Sequence, residues 1–352
     1  MTADLAGRIS TELNRLAGDM SAVGVAVSGG GDSAALLHLV TAWAAGRRVM
    51  AATVDHGLRR GSADEARFAA RMAQDLGVAH ETLHWRREDG PGNLMAQARE
   101  ARLRLLSDWA ARNRLDAVML GHTLDDQAET LLMRLGRGAG VDGLSGMAAS
   151  RLAFGTVWLR PMLGLSRQEL RDWLRGQGLR WIDDPSNQNL DYERVRMRKA
   201  LEALDIPAAS LGQTAANLAM ARAALQEFAA RATENIATDQ ARISLQLSDF
   251  TGAPEEIRRR ILVTGLRWMT GSDYPARRDE VLHAMVAVGA GGRTTLEGVI
   301  LERRASRLRM IREPAAAARR RRHRRCRWRR DLGQPLAPRR AATGAGGARS
   351  GP

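Results

Sequence analysis

"VAVSGGGDSAALLHL", residues 25–39, decides how the rest of the chain is read. An apolar run of strand character ends at Ser28, Gly29, Gly30 and Gly31 make a turn, and Asp32-Ser33 open an Ala/Leu-rich helical run. A glycine loop between a strand and a helix turns several backbone N–H groups toward one point, where the positive end of the helix dipole attracts an anion. The glycines permit torsions and a close approach that a side chain would block. Ser28 and Ser33 add hydroxyl donors for phosphate oxygens, and Asp32 is a candidate ligand for a Mg2+ ion bridging those oxygens.

Working outward, residues 22–28, 48–54 and 117–121 read as short strands, with helical patterns over 33–45, 63–76 and 94–112 between them. Strands alternating with helices of this length predict crossover units, hence an α/β fold with a Rossmann-like parallel sheet flanked by helices. Ser62…Glu65, Thr123…Asp126 and Ser166…Glu169 each place an acid three residues after a hydroxyl, as in a capping box. Residues 136–147 form a glycine-rich loop, "TVWLRPML" a further strand, and residues 166 to about 175 a helix; a polar loop then runs into a basic helix. The chain divides into residues 1–207, a second, mainly helical smaller domain over 208–312, and a tail over 313–352. Within the second domain, "ARISLQLSDF" and "RTTLEGVILERRASRLRMI" read as strands.

The net charge of +15 over 352 residues calls for a polyanionic partner, but it is unevenly spread. Twelve arginines against two acids lie between Glu313 and Pro352, so the tail carries +10 and the body only +5. The tail reads either as a disordered basic extension or as out-of-frame translation of GC-rich DNA. A single cysteine, Cys326, removes disulfide frameworks, Cys-based zinc sites and chemistry that needs paired thiols. No apolar run reaches the roughly 20 residues that span a bilayer, and no signal peptide is recognisable, so a cytoplasmic protein is expected.

Two other nucleotide motifs fail. A Walker loop needs Gly-Lys-Ser/Thr, whereas the only lysine is Lys199; "GAGVDG" at 138–143 matches G-x-G-x-x-G but follows a helix instead of a strand. Asp126 and Glu129, three apart, share one face of a helix beginning near residue 124. Two carboxylates there either grip an ammonium or merely complement the helix dipole with Asp125. His122 stands at the carboxyl end of a predicted strand, where ligands of open α/β sheets gather. Arg194, Arg196, Arg198 and Lys199 form a basic helix face that either neutralises nucleic-acid phosphates or is simply solvated.

S-G-G-x-D-S resembles the signature of the PP-loop ATP pyrophosphatases, a HUP-like superfamily that cleaves ATP between its α- and β-phosphates. "VDHGLRRGSADEA", "AQAREARL", "LGHTLDDQAETLLMRLGRGAGVDGLSGM", "LRPML" and "WIDDPSNQNLDYERVRMR" resemble, in order and spacing, the blocks of the tRNA(Ile)-lysidine synthase family, over about residues 20–200. The resemblance implies an AMP-forming ligase that joins free L-lysine to carbon 2 of the wobble cytidine in tRNA(Ile) with anticodon CAU. The cytosine O2 would first be adenylated by ATP with Mg2+, and lysine's amine would then displace AMP. It implies an ATP loop of Ser28, Gly29, Gly30, Gly31, Asp32 and Ser33, lysine recognition by Asp126 and Glu129, and His122 and Arg99 near the nucleotide and the reacting base. A homodimer is compatible with it, and the second domain fits the family's tRNA-binding region. The chain departs from the pattern at Val195-Arg196, where Asn-Arg is usual after Tyr-x-Arg, and at Leu103, where Tyr is common. The competing functions are a PP-loop tRNA thiolase, which generally needs paired cysteines, and a noncatalytic ATP- or RNA-binding module.

Overall fold

The computed structural model describes residues 2–57, 61–85, 94–183, 190–234, 236–239, 242–272 and 274–313. Asp184, Ser186 and Asn187 of the polar loop, Cys326 and the tail from residue 314 lie outside the described residues. The chain forms two compact units, Met1–Arg222 and Ala223–Pro352.

The first unit runs α1 (Thr2–Ala17), β1 (Ala22–Ala26), α2 (Gly31–Trp43), β2 (Arg48–Asp55), α3 (Ser62–Asp75), β3 (Ala79–His84), α4 (Leu94–Arg112), β4 (Ala117–Leu120), α5 (Leu124–Leu135), α6 (Val141–Leu144), β5 (Ser150–Ala153), β6 (Thr156–Leu159), α7 (Arg167–Gly176), α8 (Glu193–Ala203) and α9 (Ala208–Arg231), whose last turns enter the second unit. Its six strands lie in the order β3-β2-β1-β4-β6-β5, parallel throughout except for the edge strand β5. The expected α/β class is therefore observed.

β1 and β4 are buried along their whole length, as central strands covered on both faces should be. On one face α1 docks through Leu5, Ile9, Leu13 and Ala17, spaced four apart and all buried, together with the inner face of α2. Each of the three larger side chains contributes about 1.5–3 kcal/mol, as an upper bound. Fully buried Trp109 and Leu106 of α4 cover the opposite face. Because chain order reverses between β1 and β4, their carboxyl ends open a crevice; the glycine loop leaves one strand there and Gly121-His122 the other.

The capping boxes at Thr123–Asp126 and Ser166–Glu169 form as expected. The one at Ser62–Glu65 does not: Gly61 occupies the cap position without a side-chain bond, and the Ser62 hydroxyl bonds Asp55 instead. In the second unit an antiparallel sheet of β7 (Ala237–Asp239), β8 (Arg242–Gln246), β11 (Arg307–Arg312), β10 (Val299–Arg304) and β9 (Arg293–Leu296) packs with α10 (Leu247–Gly252), α11 (Glu255–Thr270) and α12 (Arg278–Gly289) around a core that includes Phe250, Ile261, Leu266, Val281 and Met310. No helix among the described residues is long and apolar enough to cross a membrane.

Candidate active site

The glycine loop is held by its own hydroxyls and by a distant segment. Ser33 Oγ donates to Gly30 O at 2.9 Å and accepts from Ser28 N at 3.1 Å, and the two serine hydroxyls lie 3.1 Å apart. Gly29 adopts φ +84°, a left-handed turn in which a Cβ would also stand 3.1 Å from Ile182 Cδ1. Ile182 N donates to Gly29 O at 2.9 Å, so residues 181–182 run beside the loop. The opening turn of α2 then presents N–H groups that have no intrahelical acceptor. Gly121 at the end of β4 closes the other side, since a Cβ there would stand 3.1 Å from Asp32 C and Ser33 N. Backbone N–H groups at such a loop and helix start are suited to phosphate oxygens.

Asp32, Asp126 and Glu129 come together although they leave two different helices. Arg167, the first residue of α7, joins them: its Nε donates to Asp32 Oδ2 at 3.2 Å, and its terminal nitrogens stand 3.5 Å from Glu129 Oε1 and 3.8 Å from Asp126 Oδ1. Its backbone N–H, an orphan donor at a helix start, goes to Asp125 Oδ2 at 2.7 Å. Asp126 uses one oxygen as a cap, accepting from Thr123 N at 2.8 Å and Thr123 Oγ1 at 3.1 Å, while the other accepts from Arg194 Nη1 at 3.1 Å. Glu129 is 1% exposed; its Oε1 accepts from Arg198 Nε at 3.0 Å, and its Oε2 is buried without a hydrogen-bond partner among the described residues.

Burial raises the Asp32 carboxyl above its ordinary value, with Arg167 opposing and Asp126 adding to the rise. For Asp126 burial pushes the same way, but His122, the Thr123 N–H, Arg167 and Arg194 outweigh it and hold the carboxyl below the usual range. Burial would weaken the Arg167 guanidinium's hold on its proton; Asp32, Asp126 and Glu129 more than reverse that. His122, pulled down to about 3 chiefly by burial, is neutral near pH 7, and its Nδ1 is buried without a partner among the described residues.

Arg99 is exposed on α4 among arginines that also border His122. It joins Arg151 in depressing Arg160, which burial first and these neighbours next bring down to about 10. Anionic and cationic regions thus adjoin at the strand ends.

The basic residues of α8, expected either to meet nucleic-acid phosphates or to be solvated, have different neighbours. Arg194 and Arg198 turn inward to Asp126 and Glu129. Arg196 donates to the carbonyls of Leu190 and Asp191 at 2.8 and 3.0 Å, and Lys199 alone of the four is exposed without such a bond among the described residues. Helical spacing accounts for the division: residues 194 and 198, four apart, share the face packed on α5. Val195, where the family pattern has Asn, is buried at 6% exposure as a packing residue. Arg167 was missed by the sequence reading; the one signal for it was its place directly after the Ser166 cap. Among the described residues no group of three or more His, Cys, Asp or Glu side chains could hold a metal ion. A Mg2+ at Asp32 would therefore need phosphate oxygens for most of its ligands.

Residues 4–204 match the PP-loop domain family. The chain is 47% identical over 297 residues to a tRNA(Ile)-lysidine synthase of Ruegeria pomeroyi, covering 83% of this chain and 71% of the relative. It is 37% identical over 269 residues to one of a Wolbachia of Brugia malayi, covering 74% of this chain and 62% of the relative. Among solved structures, the U34-tRNA thiolase NcsA of Methanococcus maripaludis superposes with a TM-score of 0.54 at 16% identity, over 62% of this chain and 80% of that one, a likeness of fold. With the PP-loop domain spanning the first unit and relatives of this identity over most of its length, the chain belongs to the tRNA(Ile)-lysidine synthase family.

Proposed function

We propose that the chain ligates L-lysine to carbon 2 of the wobble cytidine of tRNA(Ile) with anticodon CAU, consuming ATP and releasing AMP and pyrophosphate. The observation that carries this reading is the bridge made by Arg167, which brings the phosphate-shaped loop and the α5 carboxylates within one guanidinium of each other. A nucleotide seated on the loop and an amine held at α5 would then meet at the ends of β1 and β4.

In this reading the N–H groups around Gly29, Gly30 and Gly31 hold the departing pyrophosphate, with Ser28 and Ser33 keeping the loop in shape. Asp32 would hold Mg2+, which supplies positive charge opposite the phosphate oxygens. Arg99, with the arginines around it, offsets charge growing on the α-phosphate side as the cytosine O2 is activated. Asp126 and Glu129 orient the amine; a buried carboxylate oxygen such as Glu129 Oε2, which has no partner among the described residues, is a strong acceptor for an ammonium donor. His122 is neutral there and serves as a hydrogen-bonding group beside the base, not as a fixed cation. Lys199 and the second unit would contact the tRNA backbone. Residues 1–207 act as the catalytic domain and 208–312 as the tRNA-binding domain, in a cytoplasmic enzyme assembled as a homodimer.

The test is AMP release from ATP in the presence of unmodified tRNA(Ile) and lysine. Release that requires both substrates, and is lost in Asp32→Ala, supports the proposal. Release independent of lysine, or surviving that substitution, contradicts it.

A further inference from the structure

Four carboxylates, Asp32, Asp125, Asp126 and Glu129, gather with three guanidinium groups, those of Arg167, Arg194 and Arg198, and Asp32, Asp126 and Glu129 are the ones the guanidinium groups contact. An ammonium entering this cluster competes with guanidinium groups already held on the Asp126 and Glu129 oxygens, so its binding gains little unless one of them yields. The three are not held alike. Arg198 approaches Glu129 Oε1 to 2.9 and 3.0 Å, and Arg194 lies 3.1 Å from Asp126 Oδ1. Arg167 stands farther from the same two acids, at 3.5 and 3.8 Å, and its shortest side-chain contact is to Asp32 on the nucleotide loop's helix. Its main chain is tied at Asp125, so the side chain can swing while the start of α7 stays in place.

From this geometry we infer that Arg167 is a positioning residue that makes the enzyme take its nucleotide before its amino acid. Phosphate oxygens seated on the glycine loop lie on the Asp32 side of the guanidinium and accept its fork bidentately, as carboxylates do, with more charge. Drawn toward them, Arg167 leaves the α5 acids, and the cluster becomes one positive charge poorer where the amine binds. Glu129 Oε1 then keeps Arg198 alone of its two guanidinium neighbours, and Oε2, buried without a hydrogen-bond partner among the described residues, faces one cation fewer. The inference rests on the amine-site reading given above and adds to it an order of binding and the residue that imposes it.

The experiment measures lysine affinity by calorimetry with and without a non-hydrolysable ATP analogue plus Mg2+, in the full chain and in Arg167→Gln. The unaltered protein should bind lysine at least about tenfold more tightly with the analogue, and by linkage should bind the analogue more tightly with lysine by the same factor. In Arg167→Gln both factors should fall to within about twofold of unity, with lysine binding the nucleotide-free variant at least as well as it binds the nucleotide-free parent. Arg167→Lys, which keeps a cation but not the fork, should show a factor between the two and carries the test if the Gln variant does not fold. A factor unchanged by Arg167→Gln, or a factor of one in the parent, overturns the inference while leaving the amine site standing. Absence of lysine binding under every condition overturns the amine-site reading and this inference with it.

Discussion

Asp126 does two things at once, and a pair of substitutions separates them. One oxygen caps α5 through Thr123, and the other faces Arg194 and, at longer range, Arg167. Asp126→Ala removes both. Losing its half of the capping box, the bonds accepted from Thr123 N and Oγ1, costs about 1 kcal/mol, the order of one buried hydrogen bond. The contact to Arg194, whose side chain is 35% exposed, is discounted for solvent to about 1 kcal/mol. A total of about 2 kcal/mol lowers Tm by about 4–8 °C for a unit of this size. Asp126→Asn can keep an acceptor oxygen on Thr123 but turns an uncharged amide donor toward two guanidinium groups. It should lose about half as much stability yet suffer as much in lysine use, with kcat/KM for lysine down at least about tenfold, equivalent to about 1.4 kcal/mol. ATP affinity should stay within about twofold in both. Thermal unfolding and steady-state kinetics with lysine varied are the assays. If Asp126→Asn lost stability but kept its KM and kcat for lysine, the carboxylate would be a cap and nothing more.

Further outcomes follow from the same geometry. His122 keeps its proton off down to about 3, whereas the unfolded chain takes one up near 6.5. Its contribution to stability is therefore present above 6.5 and drains away as pH falls toward 3, by up to about 1.4 kcal/mol per pH unit. Urea unfolding of His122→Asn should show a shallower acid slope across that window, and an unchanged slope would refute the assignment. Gly121→Ala places a Cβ 3.1 Å from the backbone of Asp32 and Ser33, neither of which ends in a flexible side chain. It should cost about 1–3 kcal/mol of stability and displace the loop, weakening ATP at least about tenfold in equilibrium titration. Arg198→Ala should raise the lysine KM with little change in the salt dependence of tRNA binding. Lys199→Ala should reverse that pattern, lowering the slope of log K against log salt by about 0.7–0.9. Filter binding at several salt concentrations decides between them.

How far the sequence could be read depended on whether a residue's partner was local. The strand–glycine–helix unit at 25–39 and the boxes at Thr123 and Ser166 are settled by contacts within a few residues, and they fold as their patterns predict. Ser62 obeys the same pattern and fails because Asp55, on another element, takes its hydroxyl. The strands β3 and β5, with patterns "AHETLH" and "SRLA", are sheet edges whose half-exposed residues lack the apolar run that marks β1 and β4. The inward turn of Arg194 and Arg198 depends on α8 packing against α5, a contact about seventy positions apart in sequence that charge patterning cannot reveal. Arg167 is the extreme case: its role exists only because three helix starts converge at one end of the sheet.

In the proposed reaction an amine held at α5 reaches a cytidine activated beside the glycine loop. That reaction is tested most directly by incubating unmodified tRNA(Ile) with ATP and isotopically labelled lysine, then digesting the RNA and locating the label by mass spectrometry. One lysine, less one water, should appear on the nucleoside at the wobble position, formed in step with AMP. Label at another nucleotide, or AMP formed without any label in the RNA, would contradict the proposed reaction.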